Sequence, residues 1–208
     1  YRVVLRIWPA RRGLACLAAA FVAFNPQFLF IHAGVINDAL AITLCTWTLE
    51  RLVRMAGLER PLDATRWRDW VLIGALCGLA ILSKLSAALL LPLTALLIAW
   101  LAFQTRKVSI KARALRVVFC LFWVVVTAAF VSGWWFWRNW QLYGEPTGLS
   151  RFIPVAGARM DPFSFRDFLG ELEGLELSYW AVFGWFSILA DPVVYLLIRA
   201  LDRLAILG

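Results

Sequence analysis

Residues 13–31 read GLACLAAAFVAFNPQFLFI, nineteen positions without a charge. As a helix they rise ~28 Å, close to the ~30 Å hydrocarbon core of a bilayer. The run therefore predicts a membrane span, and Pro26 near its far end predicts a kink that neighbouring helices tolerate. Upstream, Tyr1–Arg12 reads as the end of a preceding helix and a basic loop closed by Pro9, Arg11 and Arg12. Downstream, His32–Asp38 is a tight connection to a second apolar run, Ile36–Met55.

The same alternation continues along the chain. A basic loop carrying Arg51, Arg54, Arg60, Arg66 and Arg68 precedes a hairpin of two runs, Trp70–Ser83 and Leu85–Phe103, around Lys84. A second basic loop, with Arg106, Lys107, Lys111, Arg113 and Arg116, leads into Val117–Trp137 and its terminal aromatic cluster. The expectation is an all-α polytopic transmembrane helical bundle with five complete spans and the start of a sixth. Its parts are a bundle over 1–137, an extracytoplasmic loop with an interfacial segment over 138–190, and a further helix beginning in 191–208. Asp191-Pro192 supplies the start signal of that last helix, an N-cap followed by proline. The chain opens at Tyr1 and stops within an apolar run, so it reads as part of a longer protein; no signal-peptide pattern stands at its start.

Composition agrees. Of 208 residues, 62% are hydrophobic and 16% charged, against roughly half and a quarter in soluble domains. The net charge of +8 is spread over short segments between apolar runs and forms no single stripe, which argues against a nucleic-acid partner. The basic segments 1–12, 51–68 and 106–116 fall on one side, which the positive-inside rule makes cytoplasmic. Segment 138–176 holds four arginines against six acids and falls opposite. Cys16, Cys45, Cys77 and Cys120 lie in apolar runs without metal-like spacing and read as small hydrophobes.

Three charges are candidates for chemistry. Eleven residues separate Asp38 from Glu50, only ~17 Å of helix, so either Glu50 snorkels or Asp38 lies within the outer leaflet. Trp70–Leu82 gives ~20 Å before Lys84, so this hairpin turns below the outer surface. Arg138 sits in the run Trp134-Trp135-Phe136-Trp137-Arg138-Asn139-Trp140, where a guanidinium can bind phosphate bidentately. An acid and two cations near one leaflet suit a substrate with a lipid tail and a phosphate head. Each also has a structural alternative: Asp38 as an N-cap, Lys84 as a snorkelling helix end, Arg138 as an interfacial anchor. His32 reads as an interfacial hydrogen-bonding side chain, and Glu171, Glu173 and Glu176 as a solvated face. No residue set indicates a metal site, and a divalent cation is left open.

Asn25-Pro26-Gln27-Phe28 followed by Val35-Ile36-Asn37-Asp38-Ala39-Leu40 resembles a region of the lipid-linked-sugar glycosyltransferases of the GT-C fold. Protein O-mannosyltransferases and the aminoarabinose transferases of lipid A belong to that superfamily. Gly78-Leu79-Ala80-Ile81-Leu82-Ser83-Lys84 is similar to their G-L-A-x-L-[TS]-K segment, which precedes a proline-containing helix, here with Pro92. Arg138-Asn139, Tyr143-Gly144, Pro146 and Gly148 resemble a stretch of bacterial membrane relatives, as do Ser178-Tyr179-Trp180 and Phe183-Gly184-Trp185. The resemblance implies a polyprenyl-phosphate-linked sugar donor, an inverting transfer and an active site at the outer face of the plasma (inner) membrane. It implies a main catalytic carboxylate in an outer loop upstream of Tyr1, and a second acidic residue at the position of Asp38. His32, Asn37, Asn139 and Tyr143, in or beside the matching stretches, join Lys84 and Arg138 as substrate-binding candidates. The acceptor is not implied. The rival classes are a transporter or flippase, disfavoured because no internal repeat is visible, and a non-catalytic membrane assembly protein.

Overall fold

The computed structural model describes residues 1–57, 65–104, 108–157, 164–184 and 187–207. Arg60, Arg106, Lys107 and Trp185, named above, lie outside the described residues. The chain divides into two compact units, one of Tyr1–Cys16 and Ile36–Ala158, the other of Leu17–Val35 and Arg159–Gly208.

The first unit is built on four helices: α4 (Asn37–Ala56), α5 (Trp67–Ser83), α6 (Leu90–Gln104) and α7 (Ile110–Tyr143), with the short α1 (Arg2–Ile7) packed on α4. α5 is its centre. Its Trp70, Ile73, Leu76, Cys77 and Ala80 are buried, and they meet Cys120, Val124 and Ala128 of α7 in one core cluster. The approach is close because Gly74 and Gly78 form a Gly-x-x-x-Gly pair. A Cβ on Gly74 would stand 2.6 Å from the Val124 carbonyl oxygen, and one on Gly78 2.8 Å from the Val131 Cβ. On α7 the matching face is the four-residue series Cys120, Val124, Ala128 and Ser132, all buried. Small residues of this kind let membrane helices associate without a hydrophobic driving force. Buried hydroxyls within this layer are satisfied locally: Thr48 donates to the Leu44 carbonyl (2.8 Å), Thr94 to Leu90 (2.7 Å) and Ser132 to Ala128 (2.8 Å).

These contacts also fix direction. Gly74 faces Val124 and Thr127 while Gly78 faces Ala128 and Val131, so α5 and α7 run parallel. α4 is antiparallel to α5, since Asn37 at its start meets Ser83 at the other's end. The α4 C-terminus and the N-termini of α5 and α7 therefore share one end, where Arg51, Arg54, Arg66, Arg68, Lys111, Arg113 and Arg116 gather. Glu50 is buried there between Arg6 (3.3 Å) and Arg51 (3.8 Å), a paired charge and not a snorkelling one. At the same end Trp67 packs on Trp123 with centroids 5.3 Å apart, and Arg68 lies over the Trp67 ring at 5.6 Å.

The second unit holds α3 (Pro26–Ala33), the Leu17–Ala23 part of α2 (Arg12–Ala23), α9 (Phe165–Trp180), α10 (Pro192–Leu207) and a two-stranded antiparallel pair, β1 (Val182–Phe183) with β2 (Ile188–Leu189). Two stretches far apart in sequence meet in it. Asn25 donates to the Tyr179 carbonyl (3.2 Å), and the Val182 amide donates to Gln27 Oε1 (2.9 Å). Tyr195 closes the junction, donating to the Ala181 carbonyl while accepting from the Ala190 amide at 3.1 Å. Asp191 caps α10 as expected, its Oδ1 accepting from the Val193 amide at 2.9 Å. Glu173 and Glu176 are ion-paired with Arg199, at 2.8 and 3.2 Å, and so form no purely solvated face.

One expectation needs correcting. The run 13–31 is not one kinked helix: α2 and α3 are separate and bent by 60°. Asn25 caps α3, accepting from the Phe28 amide at 2.9 Å, with Pro26 as its first residue, so the chain restarts a helix where the uncharged run looked continuous. The count of five spans is not confirmed by helix length and composition. Among the described residues, Leu85–Gln104 and Ile110–Tyr143 are long and apolar enough to cross a membrane, or three spans if the bent pair is one. α4 falls short because it carries Asp38, Glu50, Arg51 and Arg54, and α5 because its 17 residues rise only ~26 Å and include Arg68 and Asp69. α7, by contrast, runs 34 residues, through the aromatic cluster to Tyr143.

Candidate active site

The end of the first unit opposite its basic residues brings two of the three candidate charges together. Ile36 precedes α4 with extended backbone and offers no side-chain cap. Asp38 therefore does not cap the helix; it sits in the first turn, where the macrodipole favours a carboxylate. On the facing element, α5 ends at Ser83 and the chain leaves it extended at Lys84 (φ −152°, ψ 125°). The Lys84 amide still donates to the Ala80 carbonyl (2.8 Å), while its own carbonyl accepts from Ala87 (3.0 Å) to start the 3-10 turn Leu85–Leu89. This break projects the Lys84 ammonium onto the Asp38 carboxylate, with Nζ 2.5 Å from Oδ1. The side chains are 49% and 30% exposed, so a ligand reaches both.

Beside the pair lies a reciprocal contact. Asn37 Nδ2 donates to the Ser83 carbonyl (2.8 Å), and Ser83 Oγ donates to the Asn37 carbonyl (2.9 Å). Asn37, a substrate-binding candidate by sequence, is exposed, and its amide also meets the end of α5.

Arg138 shares this end but not the contact. Extending the α5–α7 register six residues from Gly78 puts Lys84 level with residues 134–137, within about one helical turn of Arg138. Arg138 is exposed, and no hydrogen bond or ion pair reaches it from the described residues. Next to it, Asn139 is buried, and its amide donates to the Pro146 carbonyl (3.2 Å). Gly144 (φ 72°) ends α7 in the left-handed conformation, and Gly148 (φ 71°) repeats it. The Tyr143 ring lies where a Cβ on Gly148 would be 3.6 Å from it. Asn139, Tyr143, Gly144 and Gly148 thus shape the turn that follows Arg138. His32 belongs to the second unit, its Nδ1 2.8 Å from the Phe28 carbonyl and its ring stacked on Phe28 with centroids 3.8 Å apart.

An anionic side chain in reach of a cation that keeps two further N–H donors can orient a hydroxyl and hold an anion at one place. Among the described residues no three His, Cys, Asp or Glu side chains are grouped to hold a metal ion. A cavity of about 250 Å³ lined by Thr65, Trp70, Leu115, Arg116, Phe119 and Cys120 lies at the other, basic end.

The sequence profile of the dolichyl-phosphate-mannose-protein mannosyltransferase family matches residues 1–137. The chain belongs to that family. It is thus a membrane glycosyltransferase of the mannosyltransferase type within the GT-C superfamily. The mannosyltransferase match includes His32, Asn37, Asp38 and Lys84 and stops one residue before Arg138. No curated protein and no solved structure matches the chain.

Sequence reasoning overlooked Ser83, although it stands in the quoted segment before Lys84. The Gly74–Gly78 spacing was equally visible in an apolar run.

Proposed function

We propose that the protein transfers a sugar from a polyprenyl-phosphate carrier to an extracytoplasmic acceptor, with inversion at the anomeric carbon. The acceptor hydroxyl oxygen attacks that carbon, the bond from it to the carrier phosphate oxygen breaks, and the phosphate leaves with the electron pair. The hydroxyl proton passes to a carboxylate base, which we read as an outer-loop acid other than Asp38. Asp38 orients the acceptor or the sugar, Lys84 and Arg138 neutralise the charge that grows on the departing phosphate, and Asn139 and Tyr143 hold the turn beside Arg138.

The observation that carries this reading is the Asp38–Lys84 pair, set within the family-matched stretch at the end opposite the basic residues. Under the positive-inside rule those basic residues face the cytoplasm, so the pair faces outward at the plasma membrane. The reading is tested by reconstituting the full-length protein in vesicles with either a polyprenyl-monophosphate sugar or a nucleotide sugar on the side of Asp38. Transfer from the lipid donor alone is expected. Transfer from the nucleotide sugar alone would contradict it.

A further inference from the structure

Lys84 and Asp38 come from elements 46 positions apart in sequence, and their ion pair is half open to solvent. A pair that exposed contributes about 0.2–1 kcal/mol and does not hold its own geometry against two flexible side chains. Something else must fix the distance between the two backbones, and the adjacent residues supply it. Ser83 and Asn37 each give one donor and take one donor, so two hydrogen bonds of 2.9 and 2.8 Å cross the same gap one residue away from the charges. The bonds are not interchangeable with packing. The Ser83 carbonyl is at the open end of α5, where helix carbonyls lack intrahelical partners, and Asn37 fills that vacancy. The Asn37 carbonyl receives the hydroxyl in return.

We propose that Ser83 and Asn37 are positioning residues, a two-bond clasp that sets the Asp38 carboxylate and the Lys84 ammonium at a fixed spacing for the donor phosphate and acceptor. The role in transfer rests on the function proposed above; the clasp itself does not. It assigns a reason for a hydroxyl at position 83, which threonine can also supply and alanine cannot. It also moves Asn37 from substrate contact to support. A displacement near 1 Å at a reacting centre is enough to cost about a hundredfold in rate, so loss of the clasp should appear in kcat more than in donor affinity.

The test uses the full-length protein with Ser83→Ala, Ser83→Thr, Asn37→Ala and the double Asn37→Ala/Ser83→Ala, read in two ways. In transfer, Ser83→Ala should lower kcat about ten- to hundredfold with donor affinity held within about twofold, and Ser83→Thr should restore it. The double variant, which removes both bonds, should lose at least as much as the worse single one. Independently of any transfer, the labelling rate of Lys84 by an amine-acylating reagent should rise about threefold or more in Ser83→Ala as its side chain loses the Asp38 contact that covers it, and return to the parent rate in Ser83→Thr. Unchanged Lys84 labelling in Ser83→Ala, or a threonine variant as impaired as the alanine one, would overturn the clasp. Changed labelling without transfer from any lipid donor would keep the clasp and overturn the function it was placed in.

Discussion

The Lys84 ammonium lies 2.5 Å from the Asp38 carboxylate across 46 positions of sequence, at the junction of the α5 C-terminus with the α4 N-terminus. Each charge also stands at the helix end whose dipole favours it. The pairing gives a lysine and an aspartate a reason to stand at these ends, where α4 is long enough to span but carries four charges and α5 has only 17 residues. The charged ends of the two helices face one another instead of lipid.

Lys84→Ala and Arg138→Ala should weaken donor binding without unfolding the protein. A hydrogen bond to a charged group is worth about 1.5–3 kcal/mol, so each loss should raise the donor dissociation constant about ten- to hundredfold, and added salt should weaken the parent more than the variants. Arg138 is exposed and the Asp38–Lys84 pair is solvent-screened, so thermal stability should move little. Fluorescence binding of a lipid-phosphate donor in nanodiscs measures the first effect, and a detergent melting curve the second.

Gly74→Val should destabilise the first unit. Its Cβ would fall 2.6 Å from the backbone oxygen of Val124, which cannot swing aside; overpacking of this kind costs about 1–3 kcal/mol. Gly133→Ala is the control, because nothing lies within 4 Å of its Cβ and the helix gains from alanine. Melting temperatures should fall for the first and hold or rise for the second.

Gln27→Ala should loosen the second unit at a place far from it in sequence. The Val182 amide is buried and donates to Gln27 Oε1, so removing the acceptor leaves an unsatisfied donor at about 1–3 kcal/mol. Hydrogen exchange at Val182 should accelerate at least several-fold in Gln27→Ala and stay near the parent rate in Gln27→Glu, which keeps an acceptor.

The helical, membrane character of the chain was legible because it depends on composition and charge placement, which are local. The Asp191-Pro192 helix start was legible for the same reason: the cap and the proline are adjacent. The break at Asn25-Pro26 carried the same kind of signal, yet the uncharged run around it concealed two helices. The number of spans was the weakest reading, since apolar runs do not reveal where helices begin and end: α4 continues through Glu50, Arg51 and Arg54 to Ala56, and the run 13–31 divides at Asn25. In the site, residue types identified Asp38 and Lys84, but not that they touch. Nothing in one sequence tells that Asn37 meets Ser83, or that Gln27 meets Val182, because those contacts are made by tertiary pairing. Asn139 drew attention because it lies in the stretch that resembles bacterial membrane relatives; its role in the turn depends on the left-handed glycines after it.

The measurement that bears most directly on the claim that Asp38 serves the transfer is a comparison of the parent with Asp38→Asn in reconstituted vesicles, with donor binding and turnover recorded on the same preparations. The account predicts donor affinity within about threefold and turnover down by at least about a hundredfold, the scale of a lost carboxylate at a reacting centre. Turnover equal to the parent's, at equal expression, would remove Asp38 from the chemistry and contradict the account.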